Sequence, residues 1–274
     1  MILITGCSSG IGRETAVEAA RRGHRVFASA RRREDVADLA AEGIETVALD
    51  VTDAASIGEA VRSTLGIAGR IDAVVNNAGY PQYGAIEDVS LEEWRAQFEV
   101  NVFGTIAVTR AVLPGMRAAR RGTIVNVSSL AGKVTIPFAG PYCASKHALE
   151  AISDALRVEV APWKIRVVVV EPGPIATHFA DRARQATARI LAVPGPYSRF
   201  YENAERASEK EFQRGSRRPA VVARVIVRAI ESKRPKTRYR VAPLARILVP
   251  LKGLTSDRFL DRRMKRMLRL PDNI

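Results

Sequence analysis

The run Ile2-Leu3-Ile4-Thr5-Gly6-Cys7-Ser8-Ser9-Gly10-Ile11-Gly12 leads from a short apolar strand into a segment of helical period. Glycines at such a junction permit a tight turn, close approach of backbone to a pyrophosphate, and close helix-strand packing. The helix start adds free N–H groups and a positive dipole end. The junction therefore reads as a phosphate cradle built from Gly6, Ser8, Ser9, Gly10, Ile11 and Gly12. It is not a Walker loop, because no Gly-Lys-Ser/Thr follows, and its G-x-x-x-G-x-G spacing differs from the usual G-x-G-x-x-G. A purely structural turn is the competing reading, and placement at the first strand-helix junction favours the cradle.

Beyond this junction, short apolar runs alternate with longer helical patterns, which predicts βαβ units on a parallel sheet. The runs cover 2–5, 25–30, 45–49, 71–76, 122–127, 166–171 and 238–242, and helices are expected near 11–22, 33–42, 54–65, 91–113, 141–160 and 217–232. The strands are solidly apolar, as befits a sheet covered on both faces. The expected fold is α/β: one doubly wound domain over residues 1–242 with a mostly parallel seven-stranded sheet. The stretch from Pro172 to about Ser216 shows no such pattern and is too long for an ordinary connection, so it is expected to be a lid (about 175–216) or partly disordered.

Composition narrows the function. The chain has 274 residues, 47% hydrophobic and 26% charged, with two cysteines, Cys7 and Cys143. That is globular composition without a disulfide framework, and it fits a reducing compartment. No signal peptide is read at the start and no stretch nears the length of a bilayer span, so a cytoplasmic protein is expected. The net charge of +14 is concentrated at one end. Residues 216–274 hold 17 Lys+Arg against 4 Asp+Glu, a net of +13, whereas residues 1–215 hold 26 against 25. Nucleic-acid binding through that tail would call for interleaved stacking aromatics, and only Tyr239 and Phe259 stand among its cations. No nucleic-acid partner is expected.

In NAD-binding units an acidic residue about 20 positions past the glycines holds the ribose 2′-hydroxyl. Here Arg31-Arg32-Arg33 follows the second strand. Cations at a helix start sit at the wrong dipole end, and an anionic partner such as the 2′-phosphate of NADP would relieve that cost. Arg31 is the expected contact and NADP(H) the favoured cofactor over NAD(H). A solvated cluster moderated by Glu34 and Asp35 is the alternative.

Tyr142-Cys143-Ala144-Ser145-Lys146 opens a predicted helix, and i, i+4 spacing puts the phenol and the ammonium on one face. A neighbouring cation lowers a phenol's pKa from about 10 toward a usable range. Ser129, just past the strand 122–127, emerges at the carboxyl edge where such sheets bind ligands, placed to hold a substrate oxygen. The three histidines, His24, His147 and His178, have no ligand spacing, so no metal is expected.

Taken with Thr5-Gly6-x-x-x-Gly10-Ile11-Gly12, Asp50, Asn76-Asn77-Ala78-Gly79, Asn101, Ser129, Tyr142-x-x-x-Lys146 and Pro172-Gly173 followed by Ile175 and Thr177, the chain resembles the short-chain dehydrogenase/reductase family over residues 5–177. The resemblance implies a Rossmann fold and hydride transfer between the nicotinamide C4 and a carbonyl or alcohol carbon. It implies Tyr142 as acid/base, Lys146 on the nicotinamide ribose and depressing the tyrosine pKa, Ser129 on the substrate oxygen, and Asn101 holding a water that extends the proton relay. It places Asp50 and Val51 at the adenine, Asn77, Ala78 and Gly79 along the adenosine ribose, and Pro172, Gly173, Ile175 and Thr177 around the carboxamide and phosphates. Duller roles stay open: Asp50 as a helix cap, Asn101 as a satisfied helix-interior amide. A dinucleotide-sensing regulator without turnover is the rival class, marked by loss of the Tyr or Lys; both are present.

Apolar side chains of Ile136-Pro137-Phe138, Phe179, Ile190, Leu191, Val193, Tyr197, Phe200 and Tyr201 point to a bulky apolar ketone or alcohol. Local similarity to hydroxysteroid and retinol dehydrogenases agrees, and a 3-oxoacyl thioester is the alternative substrate. The family resemblance implies a homodimer or homotetramer through the helices near 91–113 and 141–160. The extension 243–274 is expected to be helical over 258–270 with one apolar and one basic face. Such a helix lies on an anionic membrane or packs on its own protein.

Overall fold

The computed structural model describes residues 1–177, 179–241 and 255–270. His178, the expected strand end Ala242, and positions 243–254 and 271–274 of the basic extension lie outside the described residues.

Seven strands, β1 (Ile2–Ile4), β2 (Val26–Ala30), β3 (Glu45–Ala48), β4 (Ala73–Asn76), β5 (Gly122–Val127), β6 (Ile165–Pro172) and β7 (Arg238–Val241), form one sheet in the order β3-β2-β1-β4-β5-β6-β7. Every neighbouring pair is parallel, so the sheet carries no antiparallel edge. The chain winds outward from β1 to β3, returns to β4 beside β1, and winds the other way. This reversal opens a crevice at the carboxyl ends of β1 and β4.

Strand alternation sorts the core into two layers. Ile2 and Ile4 of β1 join Val75, Val125, Val168 and the α8 (Pro219–Glu231) residues Val222, Ile226 and Val227 on one face. Leu3 joins Phe27, Val74, Ile124 and Val167 on the other, beneath α2 (Ala54–Ala68) and α4 (Gly104–Ala118). Helix α1 (Gly10–Arg21) packs against α8, and α5 (Gly140–Glu159) lies against β6 and the turn after β5.

Three segments depart from the sequence reading. Residues Arg33–Glu42 form 3-10 turns with only Val36 and Leu39 buried. The helix expected over 91–113 divides into α3 (Leu91–Phe98) and α4, with a π turn at Glu99–Phe103 between them. The stretch read as patternless holds α6 (Phe179–Leu191) and α7 (Ser198–Gly215). Buried Ala183, Thr187 and Ile190 give α6 an inward stripe, overlooked because arginines and Gln185 interrupt it. A final helix, α9 (Asp257–Leu268), is capped by Ser256 and rests on α7.

The β1–α1 turn is closed by contact. A Cβ on Gly12 would lie 2.4 Å from both the Gly6 carbonyl oxygen and Asn77 Nδ2, and a Cβ on Gly6 would lie 2.8 Å from Ala78 Cα. Gly12→Ala forces backbone apart and is expected to cost about 1–3 kcal/mol, read as a lowered denaturant midpoint at unchanged m-value.

Candidate active site

The glycine turn and the β4 edge form one surface. Gly6 (φ +71°) and Gly10 (φ +63°) adopt conformations that side chains disfavour. Thr5 Oγ1 accepts from the backbone N–H groups of Asn77 and Ala78 (3.0 Å each), while Asn77 Nδ2 donates to the carbonyls of Thr5 and Gly6 (3.0 Å each). Asn77 is thus a brace for the turn. Ser8 and Ser9 lead into α1, whose N-terminal amides take no side-chain cap from Ser9, and Ile11 packs onto the core. Over the turn lies the segment after β6. A Cβ on Gly10 would meet Thr177 Cγ2 at 3.1 Å. Beyond Pro172 and Gly173, Ile175 bridges Arg217, whose N–H donates to Pro174 O (3.1 Å) and whose carbonyl accepts from Ala176 (2.9 Å). A helix start that takes no side-chain cap from Ser9, faced by glycines and roofed by a tethered loop, fits a dinucleotide pyrophosphate.

At the other strand ends, Asp50 Oδ1 accepts from Thr52 N (2.9 Å) and Thr52 Oγ1 (2.7 Å), and Val51 is buried against Gly104. Asp53, not Asp50, caps α2. Of the three arginines after β2, Arg32 pairs with Asp35 (2.6 Å) and Arg33 Nε donates to Thr46 Oγ1 (3.2 Å). Arg31 is exposed and has no partner among the described residues.

Tyr142 and Lys146 share one face of α5, with the ammonium 5.9 Å from the phenol ring centroid, and both are buried. Lys146 Nζ donates to Val127 O, the last carbonyl of β5 (2.9 Å). Ser129 stands two residues beyond that carbonyl, its Oγ accepting from Ala131 N (3.1 Å). Asn101 occupies the π turn: its Nδ2 donates to Tyr80 O and Ser145 Oγ (3.1 Å each), and its Oδ1 accepts from Tyr80 N (3.2 Å). A Cβ on Gly79 would lie 2.9 Å from Asn101 Oδ1, so a side chain there would push on the Asn101 amide. Asn101, Ser129 and the Tyr142–Lys146 pair, from three separate stretches of sequence, therefore meet at one end of the crevice.

The electrostatics bear on the proton of this pair. Burial raises the Tyr142 phenol above its ordinary value, with Ser129 opposing and Tyr83 and Cys143 adding to the rise. Burial pushes Lys146 down to about 8, with Glu150 opposing. Desolvation outweighs the Ser129 hydrogen bond, so the tyrosine holds its proton here.

Aromatic side chains enclose Tyr142. Tyr83 and Phe179 meet it edge-on at 6.3 and 5.5 Å between centroids. Phe138 stacks edge-on against Tyr201 (5.3 Å) and Tyr197 (6.1 Å) of the 195–215 region, and Tyr201 OH accepts from Ala85 N (2.8 Å). Helix α6 is pinned by Gln82 Nε2 donating to Ala186 O (3.2 Å) and by the Arg189–Glu93 pair (2.8 Å). Ile190 turns inward, while Leu191, Val193 and Ile136 stay exposed. Tyr83 had no part in the sequence reading, and Thr5 and Ser145 stood in its motifs without a role of their own; the Pro81-Gln82-Tyr83-Gly84 run after the Asn-Asn-Ala-Gly motif was the available signal for the first. No cluster of metal-binding side chains occurs among the described residues.

Comparison with known proteins agrees with this geometry. A profile of the short chain dehydrogenase family matches residues 1–188. A 3-ketodihydrosphingosine reductase of Bacteroides thetaiotaomicron is 36% identical over 248 residues, covering 90% of each chain. An NADPH-dependent 3-dehydrocapnine reductase of Ornithobacterium rhinotracheale is 34% identical over 269 residues, covering 95% of this chain and 94% of the other. The crystal structure of a short-chain dehydrogenase/reductase from Burkholderia phymatum in complex with NAD superposes with a TM-score of 0.81 at 26% identity, covering 95% and 94%. With this sheet, this crevice and these relatives, the chain belongs to the short-chain dehydrogenase/reductase family of oxidoreductases.

Proposed function

We propose that the protein is an NADPH-dependent reductase of a bulky, lipid-like ketone, with Tyr142 as the proton donor. The observation that carries this reading is a buried, proton-loaded phenol beside Ser129 and Lys146, walled by Tyr83 and Phe179. When bound, the nicotinamide supplies hydride to the substrate carbon. The turn Gly6–Gly12 and the segment Pro172–Thr177 hold the dinucleotide, and Asp50, Val51 and Ala78 border its adenosine half. Lys146 and Asn101 fix its ribose end and continue the proton path. Ser129 donates to the carbonyl oxygen and Tyr142 passes its proton to the same atom as negative charge develops. A phenol that keeps its proton until an alkoxide forms suits reduction.

Two relatives named for 3-keto substrates support a lipid-like ketone, as do the aromatic wall and the cover of α6 and α7, which we take as the lid. Assayed by NADPH oxidation, long-chain 3-ketones and their amino derivatives are expected to turn over faster than steroid ketones or 3-oxoacyl thioesters. Tyr142→Phe is expected to lower kcat by about 10²–10⁴-fold while NADPH still binds; turnover retained in that variant overturns the mechanism. The unpartnered Arg31 at the end of β2 favours the 2′-phosphate. Arg31→Asp is expected to weaken NADPH binding roughly 10- to 100-fold, as loss of a charged hydrogen bond implies, with NADH nearly unaffected in a paired titration.

The protein works in the cytoplasm, where Cys7 and Cys143 stay free thiols, and forms a homo-oligomer through α4 and α5, near which Phe103 and Val158 are exposed. No helix among the described residues is long and apolar enough to cross a membrane. Helix α9 turns Leu260, Met264 and Leu268 inward yet leaves Phe259 and Met267 exposed among Arg258, Arg262, Arg263 and Arg266. That face suits an anionic bilayer surface. The protein is expected to sediment with phosphatidylserine vesicles and not with phosphatidylcholine, and Phe259→Ser with Met267→Ser to weaken the association roughly tenfold. Equal sedimentation of the variant argues against the contact.

A further inference from the structure

Glu150 lies one helical turn beyond Lys146 on α5, so Tyr142, Lys146, Glu150 and Asp154 descend a single face at i, i+4 intervals. Its carboxylate is buried, yet it belongs to neither the cradle nor the aromatic wall. Glu150 Oε2 takes Lys133 Nζ at 2.8 Å and Arg238 Nε at 3.0 Å. Arg238 of β7 also reaches Asp154 (2.6 Å) and Glu171 (3.3 Å), and Arg240 meets Glu171 at 3.1 Å. Glu171 is fully buried and immediately precedes Pro172. Gly132 closes the contact from the Ser129 turn: a Cβ there would sit 3.0 Å from the Lys146 carbonyl oxygen and 3.1 Å from Glu150 Cγ.

The network thus joins three supports of the site. Lys133 follows the turn that carries Ser129, Glu150 stands on the helix that carries Tyr142 and Lys146, and Glu171 is the penultimate residue of the strand that leads into the segment 173–177. The buried ammonium of Lys146 donates to the Val127 carbonyl, and a neutral acceptor only partly offsets the loss of water. A carboxylate one turn away supplies the missing charge. Glu150 Oε1 is buried with no hydrogen-bond partner among the described residues, so that half of the anion is not consumed by a donor. The other charged or titratable groups around this point are Tyr142, His147 and Asp154 on α5, Lys133 from the turn after β5, Glu171 from β6, and Arg238 and Arg240 from β7.

We propose that Glu150 is a positioning residue: held by Lys133 and Arg238, its carboxylate keeps the Lys146 ammonium charged and locks the Ser129 turn against the helix bearing Tyr142. The proposal deepens the reading of Tyr142 and Lys146 as the proton-handling pair and rests on it. It accords with the direction of the Glu150 effect on Lys146, which opposes the burial that brings the amine to about 8.

The test is an NMR titration of the Lys146 ammonium in the ¹⁵N-labelled, cofactor-free protein, its signal assigned by Lys146→Arg, together with the pH profile of ketone reduction. Glu150→Gln keeps the shape and removes the charge; Lys133→Met removes a cation that neutralises the Glu150 carboxylate and leaves Glu150 in place. The Lys146 midpoint is expected to fall by about one pH unit in Glu150→Gln and to rise in Lys133→Met, with the alkaline limb of kcat following each shift. A structural role alone does not move the midpoint in opposite directions. Unchanged midpoints, or shifts of the same sign in both variants, overturn the proposal; should Glu150→Gln fail to fold, the rise in Lys133→Met decides. Failure of the underlying reading shows separately, as turnover that survives Tyr142→Phe.

Discussion

Putting an ammonium into a protein interior is costly unless it is paired and hydrogen-bonded, and the catalytic end of this molecule is arranged around meeting that cost for Lys146. The bond from Nζ to the Val127 carbonyl ties α5 to the last residue of β5. Once that tie is made, the positions of the other groups follow. Tyr142 lies one turn earlier on the same helix, toward the crevice, and Ser129 leaves the strand two residues past the bonded carbonyl. Gly79 lies against the Asn101 amide, which a side chain there would have to displace. One buried charge thereby sets a strand end, a helix register and a π turn.

The glycine turn obeys a different constraint, one of volume. Gly6 and Gly12 let β1, α1 and the start of the β4 loop approach to contact distance, and the hydroxyl of Thr5 with the amide of Asn77 satisfies the backbone groups exposed by so tight a turn. Those side chains are spent on bracing the protein itself. In the proposed reading, phosphate is therefore held by backbone amides at the helix start and the adjacent charge is left to Arg31.

Much of this was legible from the amino acids. Solid runs such as Val167-Val168-Val169-Val170 mark buried parallel strands, and Tyr142 with Lys146 is visible as a one-turn pair. What escaped depends on three-dimensional neighbours. The inward stripe of α6 is made of Ala183, Thr187 and Ile190 among charged residues, too weak for a pattern yet sufficient beneath Gln82 and Glu93. The π turn at Asn101 adds one residue to an otherwise regular helix, and no composition marks it. The direction of the tyrosine's shift could not be read either, because spacing reports the nearby cation but not the burial that raises the phenol.

The last helix leans on α7, and Tyr197 just before α7 together with Tyr201 in its first turn closes over Phe138. Tail and doorway are thus two ends of one lever. Under the proposed function, whatever α9 rests upon would be linked through α7 to the entrance for the ketone, and anchorage and opening would become a single variable.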